Sequence, residues 1–438
     1  MDIRSFLRRF LLPGLLSAAI LAMLWGINSV VAVHAASGGA GYIVDQVVVK
    51  LNPISGATIE DINATYGTTT IRPLLGSAGI FLLQVPAGAD ARVVAGVMDN
   101  DLRLEFAEPN FINQVPEANP RRSGAWGGPD PAPYPAQDAA QLLELAQAHQ
   151  ISLGEGTLVA VLDTGVQLDH PALASSLTTT GYDFVDDDPL PEDEFTGLGS
   201  SDHPPAGEMA GHGTHVAGIV HLVAPEARIM PLRVLDRQGQ GNIFSLAEAM
   251  NYAVANGADV INLSLGLPGK SDLLRDVTRQ ATRQGAVVVA AAGNLNSSDK
   301  QYPAAAQCAL AVTSVGADGR KSPFANYGGW IAFAAPGEQI YSTFPSGGYA
   351  TWSGTSMATP FVAGQAALIH SLAPAATARN VAVLIGETAR SLDGLNPAFS
   401  GLLGAGQINI VDSLQRAQAG NWSDRGRGLL STSCVRGH

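Results

Sequence analysis

Apolar residues change their spacing about a third of the way along the chain. Before that point, two short apolar runs, Val47–Leu51 and Gly79–Val85, are typical of strands, whereas Ile59–Tyr66 and Ala91–Met98 have the spacing of short helices. Strand-like and helix-like pieces of this length predict a small α+β unit that covers residues 42–112.

From Leu142 onward, apolar strand-like runs alternate with segments of helical spacing. The predicted strands are Thr157–Leu162, Arg228–Leu235, Asp259–Leu265 and Ala286–Ala291, and the predicted helices are Thr214–Val223, Phe244–Ala255 and Leu273–Gln284. Such alternation predicts a parallel sheet covered by helices on both faces, here in a domain over residues 138–418. Functional groups gather at the carboxyl ends of the strands in sheets of this kind.

The amino terminus has the pattern of an export signal. Three arginines among the first nine residues form a basic region, and an apolar run from Phe10 to about Val33 follows, with small residues after it. The pattern predicts a signal peptide over residues 1–35 and a secreted, extracellular protein. The run is also long enough for an uncleaved membrane anchor, which would leave the rest of the chain facing outside.

Residues 113–137 separate the two predicted domains and are rich in Pro, Gly and Arg. This composition is typical of an exposed linker that proteases reach easily. At the other end of the chain, residues 419–438 form a tail that is expected to be either disordered or docked on the domain.

The overall charge limits the classes of partner. The 438 residues carry a formal net charge of −13 and are 46% apolar. The apolar fraction fits a globular protein. The acidic balance argues against a nucleic-acid partner, because phosphate binding needs clustered Lys and Arg. We expect a monomer.

The chain has two cysteines, Cys308 and Cys434, too few for a disulfide framework. They can pair with each other in an oxidising compartment. Because Cys308 lies in an apolar run, we favour the alternative that it is a small buried hydrophobic residue with a free thiol.

Three motifs carry residues that can act in catalysis. Asp163 ends the apolar strand of Val159–Gly165, where a carboxylate can orient an imidazole. His212 stands between glycines at the start of an apolar helix. Ser356 lies in Gly354–Pro360, at the amino end of another apolar run, where backbone N–H groups and the helix dipole favour an oxyanion.

The motifs gain specificity together, because Asp, His, Ser is one of the orders in which serine peptidases carry their triad. Asn294, after a predicted strand, adds an amide that can donate a hydrogen bond to an oxyanion. A zinc site on His212 and His215 fits less well, since paired ligands on a helix normally stand four residues apart. His215 is therefore predicted to be a structural, hydrogen-bonded helix residue.

With these four motifs, the stretch from Leu142 to Ala417 resembles the subtilisin family (subtilases). The resemblance implies an α/β, subtilisin-like fold with a mainly parallel sheet flanked by helices, preceded by a small α+β propeptide domain. It implies a serine endopeptidase that forms an acyl-enzyme and needs no cofactor for its chemistry. Ser356 would be the nucleophile, His212 the base, Asp163 its orienting carboxylate and Asn294 part of the oxyanion hole.

The resemblance also implies how the chain meets its partners. Residues 42–112 look like a propeptide that inhibits the enzyme intramolecularly until autoprocessing removes it, at a site within residues 113–137. This order of segments implies secretion as a zymogen. Two segments look like the strands that pair with extended polypeptide substrates: Ser264, Leu265 and Gly266, and Ala291, Ala292 and Gly293.

An acidic insertion lies between Asp183 and His212. Oxygen-rich clusters bind calcium, and many subtilases bind structural calcium, so Asp186, Asp187 and Asp188 are candidate ligands. The insertion has no recognisable ligand spacing, and a solvated acidic loop is the alternative.

Three other functions stay open. An inactive subtilase could capture extended peptides without cleaving them, although its nucleophile, base and oxyanion residue types are all present. A membrane-anchored regulatory protease would keep the chemistry and retain the segment from Phe10 to Val33. A metallohydrolase would use the histidines as metal ligands.

Overall fold

The computed structural model describes residues 41–118, 126–195 and 208–420, together with Cys434. The predicted signal peptide over residues 1–35 lies outside the described residues, as does most of the predicted tail. Across the part of the chain that is described, no helix is both long enough and apolar enough to span a membrane.

Residues 42–114 form an antiparallel sheet with two helices. The elements are β1 (Tyr42–Leu51), α1 (Ile59–Tyr66), β2 (Thr69–Pro73), β3 (Ile80–Gln84), α2 (Ala91–Met98) and β4 (Leu104–Gln114). The strands lie in the order β2-β3-β1-β4. Apolar side chains from both strands and helices, including Val47, Ile62, Leu83 and Met98, form one buried cluster. The predicted α+β unit is confirmed.

The rest of the chain is built around a seven-stranded parallel sheet. Its strands are β6 (Leu158–Asp163), β7 (Tyr182–Asp183), β8 (Arg228–Arg233), β10 (Val260–Leu263), β12 (Val287–Ala291), β14 (Ala309–Val315) and β15 (Phe333–Pro336). They lie in the order β15-β14-β12-β10-β6-β8-β7, and every neighbouring pair is parallel. Strands such as β12 are apolar and buried along their whole length, as expected where helices flank the sheet. The predicted parallel sheet is confirmed.

Helices and short strands complete this domain. The helices are α3 (Pro133–Ala136), α4 (Asp138–Leu142), α5 (Leu145–Ala148), α6 (His212–Val223), α7 (Ile243–Ala255), α8 (Asp272–Arg283), α9 (Thr355–Leu372), α10 (Ala378–Thr388) and α11 (Ile410–Gln418). The short strands are β5 (Trp126–Gly128), β9 (Gln240–Asn242), β11 (Leu267–Pro268), β13 (Gln301–Tyr302), β16 (Ile340–Phe344) and β17 (Gly348–Trp352). Strand β9 extends the sheet of residues 42–114 through β4, and so joins the two parts of the chain.

The expectation of an exposed linker is wrong for several of its residues. Strand β4 continues to Gln114 and pairs with β9, and Val115 and Glu117 beyond it are buried. Further along, Trp126–Gly128 forms the edge strand of a small antiparallel sheet with β16 and β17. The composition of the segment did not predict that it is paired and buried, because the contacts that bury it come from residues more than 100 positions away.

The hypothesis of a free, buried thiol is also wrong. Cys308 and Cys434 form a disulfide with an S–S distance of 2.06 Å and a sequence separation of 126 residues. Cys308 does lie in the apolar interior at the start of β14, and Cys434 is fully buried beside it. The apolar sequence around Cys308 therefore predicted its burial correctly. It carried no information about a bonding partner near the end of the chain.

The disulfide predicts a measurable stabilisation. In Cys434→Ala, the unfolding free energy should fall by about 2–5 kcal/mol, because the unfolded chain regains the freedom that a closed loop of this length removes. Thermal unfolding of Ser356→Ala protein, with and without Cys434→Ala, measures the difference. Reductant should lower the melting temperature of the parent and leave that of Cys434→Ala unchanged; equal melting temperatures in all four samples would contradict a stabilising disulfide.

Candidate active site

Four polar side chains meet at one edge of the parallel sheet, each held at the end of a regular element. Asp163 is the last residue of β6, and Asn294 follows three residues after β12. His212 is the first residue of α6 and Ser356 the second residue of α9. All four were predicted as site residues. The structure brings them together because parallel strands end at the same edge of a sheet.

The imidazole of His212 is held by Asp163. Its Nδ1 lies 2.6 Å from Asp163 Oδ1, and both residues are fully buried. Asp163 Oδ1 also accepts a hydrogen bond from the Thr164 backbone N–H at 2.8 Å, which fixes the carboxylate. With Nδ1 engaged in this way, Nε2 is the ring nitrogen that faces away from Asp163 and would exchange a proton with a nucleophile.

The nucleophile candidate, Ser356, is anchored by a pair of contacts with Ser264. Ser356 Oγ lies 3.2 Å from the Ser264 carbonyl oxygen, and the Ser264 hydroxyl donates to the Ser356 carbonyl at 2.9 Å. The second bond has a reason in the sequence. Pro360 stands four residues after Ser356 in α9 and has no N–H to offer that carbonyl. Ser264 therefore supplies the donor that the helix lacks.

The carboxylate of Glu117 occupies the centre of this group. Its Oε2 accepts a hydrogen bond from Ser356 Oγ at 2.6 Å and lies 3.3 Å from His212 Nε2. Its Oε1 accepts from Asn294 Nδ2 at 2.8 Å. Gly354 leaves the space for it, since a Cβ atom there would collide with Oε1. A carboxylate thus contacts the nucleophile candidate, its base candidate and the amide that would stabilise an oxyanion.

The amide of Asn294 is oriented before any ligand binds. Its Oδ1 accepts hydrogen bonds from the Thr355 backbone N–H at 3.0 Å and the Thr355 hydroxyl at 2.9 Å. These contacts turn the Nδ2 donor toward the space beside Ser356. A donor fixed in this way costs no reorganisation when negative charge develops on a substrate.

The two carboxylates on either side of His212 change its pKa. Complete burial by itself would lower the pKa, but Asp163 and then Glu117 favour the charged imidazole and raise the pKa to about 10. With Glu117 in place, His212 is therefore protonated at neutral pH, and in that state it cannot accept a proton from Ser356.

The segment that leads to Glu117 lies in the cleft as an added strand. Gln114 exchanges two backbone hydrogen bonds of 2.9 Å with Gly266, and the Val115 N–H donates to the Gly239 carbonyl at 3.0 Å. On its other side, β4 pairs with β9 in antiparallel register. This is β-augmentation, in which main-chain bonds hold an extended peptide.

Of the two predicted substrate-pairing segments, the structure places one against this strand. Gly266 is paired directly, and Ser264 and Leu265 are buried beside it. Ala291 ends β12, and Ala292 and Gly293 lead from that strand to Asn294. Their polar contacts include Ala292 N–H to Val312, Gly293 N–H to the Thr355 hydroxyl, and Asn326 Nδ2 to the Ala292 carbonyl.

The candidate calcium ligands point to separate partners. Asp186 pairs with the buried guanidinium of Arg233 at 2.5 Å, Asp187 accepts from the Tyr182 hydroxyl, and Asp188 accepts from the Leu190 backbone N–H. Asp183 also binds Arg233, at 2.6 Å. Over the described ranges, no three His, Cys, Asp or Glu side chains are arranged to hold a metal ion.

His215 has a structural place. Its Nε2 lies 3.1 Å from the Ile340 carbonyl and 3.0 Å from the Ala350 carbonyl. Burial lowers its pKa to about 3, so the ring stays neutral and acts as a donor between two strands. The ring therefore binds backbone rather than standing beside His212 as a second ligand.

Two groups of functional residues were missed in the sequence. The glycines of Gly239–Gly241 border the cleft strand, and a Gly-x-Gly next to a predicted helix was a usable signal for close backbone approach. Glu117 carried no such signal. A single acidic residue in a Pro-rich stretch reveals its role only through contacts made 177 and 239 positions away.

Comparison with known proteins gives two family matches. The model of the subtilase family matches residues 154–406, and that of the fervidolysin N-terminal prodomain matches residues 28–110. Thermitase of Thermoactinomyces vulgaris is 38% identical over 296 residues, which cover 65% of this chain and 98% of thermitase. A thermophilic serine proteinase of a Bacillus species (strain AK1) is 38% identical over 64% of this chain and 67% of its own length.

Solved structures show the same architecture. Fervidolysin from Fervidobacterium pennivorans, described as a keratinolytic enzyme related to subtilisin, superposes with a TM-score of 0.68 over 85% of this chain and 61% of its own. At 24% identity this likeness concerns the fold. A protease of Pseudoalteromonas arctica is 32% identical, with a TM-score of 0.57 over 63% of this chain and 94% of its own.

Loss of the Asn294 amide should slow the reaction without weakening substrate binding. Asn294→Leu removes the donor and is expected to lower kcat by about 10²–10³, with KM little changed, a magnitude that itself comes from a subtilisin. Steady-state kinetics on a chromogenic peptide measure it. Ser298→Ala, at an exposed position four residues away, is the control for a change in the same loop. A similar loss in both variants would argue against an oxyanion role.

Removal of the Glu117 charge should lower the pKa of His212. In Glu117→Gln, made in a Ser356→Ala background, the pKa is expected to fall below about 10, because one of the two anions that favour the imidazolium is gone. In the parent, the attraction between the charged imidazole and the two carboxylates is present at neutral pH and is lost as pH rises through about 10, where the imidazole gives up its proton. NMR titration of the histidine side chain measures both proteins, and coincident curves would show that Glu117 does not act on this ring.

Proposed function

Since the chain belongs to the subtilase family of serine endopeptidases, we propose that it is a secreted or cell-surface enzyme made as a zymogen. Its prodomain would inhibit it until the enzyme cuts itself within residues 113–137. The observation that carries this proposal is the carboxylate of Glu117 on Ser356, His212 and Asn294. A site filled in this way by its own chain is inhibited until that chain leaves.

In the freed enzyme, the reaction follows from the geometry. Ser356 Oγ attacks the scissile carbonyl while His212 Nε2 takes its proton, and Asp163 stabilises the imidazolium that forms. The oxyanion is held by Asn294 Nδ2 and by the Ser356 backbone N–H at the start of α9. His212 then gives the proton to the leaving amine, and a water molecule hydrolyses the acyl-enzyme by the same steps.

Polypeptide substrates would bind as the prodomain segment does. The backbone of Gly266 offers one N–H and one carbonyl, and the Gly239 carbonyl offers an acceptor on the opposite side of the cleft. An extended chain between them needs no particular side chain to make these bonds. These backbone groups support an endopeptidase that binds its substrate mainly through hydrogen bonds to the substrate main chain.

Two observations support export. The amino-terminal residues have the composition of a signal peptide. The disulfide between Cys308 and Cys434 belongs to the kind of cross-link that persists in oxidising compartments and is rare in the cytosol.

Self-processing is tested by comparing wild type with Ser356→Ala. Intact mass and amino-terminal sequencing of the purified proteins should show wild type shortened to a start between Asn113 and Gln137, and Ser356→Ala with its prodomain attached. The same data show whether the segment over residues 1–35 has been removed. The expected difference arises because only wild type has the nucleophile.

The other outcomes point elsewhere. Uncut prodomain in both proteins would overturn autoprocessing and favour a protein that binds peptides without cleaving them. The same cut in both would show that another protease matures the chain. In that case, activity of the matured pair on an added peptide would decide whether Ser356 is the nucleophile.

A further inference from the structure

A buried carboxylate lies beside the triad without touching a substrate position. Asp193 belongs to the acidic insertion, but it is only 4% exposed. It sits between the end of β6, which carries Asp163, and the start of α6, which carries His212. Burying a carboxylate costs free energy unless hydrogen bonds compensate it, so its contacts need an explanation.

The contacts of Asp193 go to the first turn of α6. Its Oδ1 accepts a hydrogen bond from the Gly211 backbone N–H at 2.7 Å. Its Oδ2 accepts from the Thr214 hydroxyl at 2.7 Å and from the Thr214 backbone N–H at 3.2 Å. Gly211 and Thr214 enclose His212, so the carboxylate binds the backbone on both sides of the catalytic histidine.

A second set of contacts reaches the strand. The Thr164 hydroxyl lies 3.3 Å from Asp193 Oδ1 and accepts from the Gly213 backbone N–H at 2.9 Å. The backbone N–H of the same threonine donates to Asp163 Oδ1. Thr164 thus links Asp193 to Asp163, and Asp163 in turn binds the His212 ring.

Helix α6 cannot cap itself. The capping position is Gly211, which has a left-handed φ of 93° and no side chain. A larger residue would not serve, because a Cβ atom there would collide with the ring of Phe344. The first backbone N–H groups of a helix need acceptors, and a carboxylate is favoured there by the helix dipole. Asp193 supplies it from a separate segment.

From this geometry we infer that Asp193 is a positioning residue for the peptidase reaction. It fixes the first turn of α6 against the end of β6, so that the His212 ring stays on Asp163 and presents Nε2 to Ser356. Its negative charge also favours the imidazolium that forms when His212 takes the proton. The acidic insertion therefore contributes to catalysis through Asp193.

Among the described residues, Asp163 is the charged group that acts on Asp193. Asp163 and His212 lie on the two elements packed against it. Its neighbours in the insertion turn elsewhere, since Glu192 accepts from the Leu168 backbone N–H and Glu194 pairs with Arg233. Burial raises the pKa of Asp193 to about 7, although the hydrogen bonds from Gly211 and Thr214 act to lower the pKa. Its carboxylate accordingly loses charge as pH falls through neutrality.

The test is the substitution Asp193→Asn in the full chain, with kinetics on the matured enzyme. Asparagine keeps the size and one acceptor but loses the charge and the second anionic oxygen. We expect kcat to fall about tenfold or more with KM changed less than about threefold, since small displacements of a catalytic group cost that much. The acid limb of kcat/KM should move to lower pH, because His212 loses a nearby anion.

Asp187→Asn is the matched control, because it removes one exposed carboxylate from the same insertion and asparagine tolerates its left-handed φ of 61°. It should have wild-type kinetics. Equal losses in the two variants, or an Asp193→Asn enzyme with wild-type kcat and pH profile, would overturn the inference. If Asp193→Asn does not fold, Thr164→Val is the second test, because it removes the hydroxyl that bridges Asp193 and Gly213. This variant should lower kcat. Unchanged kinetics would count against the inference.

The Ser356→Ala and Asp193→Asn variants together distinguish a wrong triad assignment from a missing positioning role of Asp193. Should Ser356→Ala cleave the peptide as fast as wild type, the assigned nucleophile is wrong. With Ser356→Ala inactive and Asp193→Asn unaffected, the triad stands and Asp193 has no positioning role.

Discussion

The close approach of helix α6 to the end of strand β6 is the constraint on which the active site depends. At Gly213, a Cβ atom would collide with the Gly165 carbonyl and crowd the Asp163 side chain. Because no side chain separates the two elements there, His212 can reach Asp163 at 2.6 Å. The glycines around the histidine are therefore part of the catalytic geometry, and the polar groups at this junction must be satisfied by residues from elsewhere in the chain.

The site is complementary to an anion in the position that Glu117 takes. The Ser356 hydroxyl and the Asn294 amide each donate to one of its two oxygens, and the His212 imidazolium lies against one of them. Of these groups, the Asn294 amide would also hold the oxyanion of a tetrahedral intermediate, whereas Ser356 and His212 would carry out the attack and the proton transfer.

Much of this architecture could be predicted from local patterns. Helices α1 and α2 have the bounds that their apolar spacing indicates, and the strand before Asp163 reads as a continuous apolar run. Asp163, His212, Ser356 and Asn294 stand in short motifs beside such elements. Glu117 and Asp193 could not be found in this way, because their roles depend on partners that only the tertiary fold brings near. The disulfide of Cys308 could not be predicted for the same reason, since its partner is 126 residues away.

The disulfide has a consequence for a protease that is exposed to other active molecules of the same protease. It closes a covalent ring from residue 308 to residue 434, and Ser356 lies inside this ring while Asp163 and His212 lie outside it. A single cut in any loop of the ring leaves both pieces joined through the sulfur atoms. The nucleophile is then held near its histidine by packing and by a covalent tether. Damage from self-digestion in this third of the molecule becomes a nick that the fold can survive rather than the loss of a fragment.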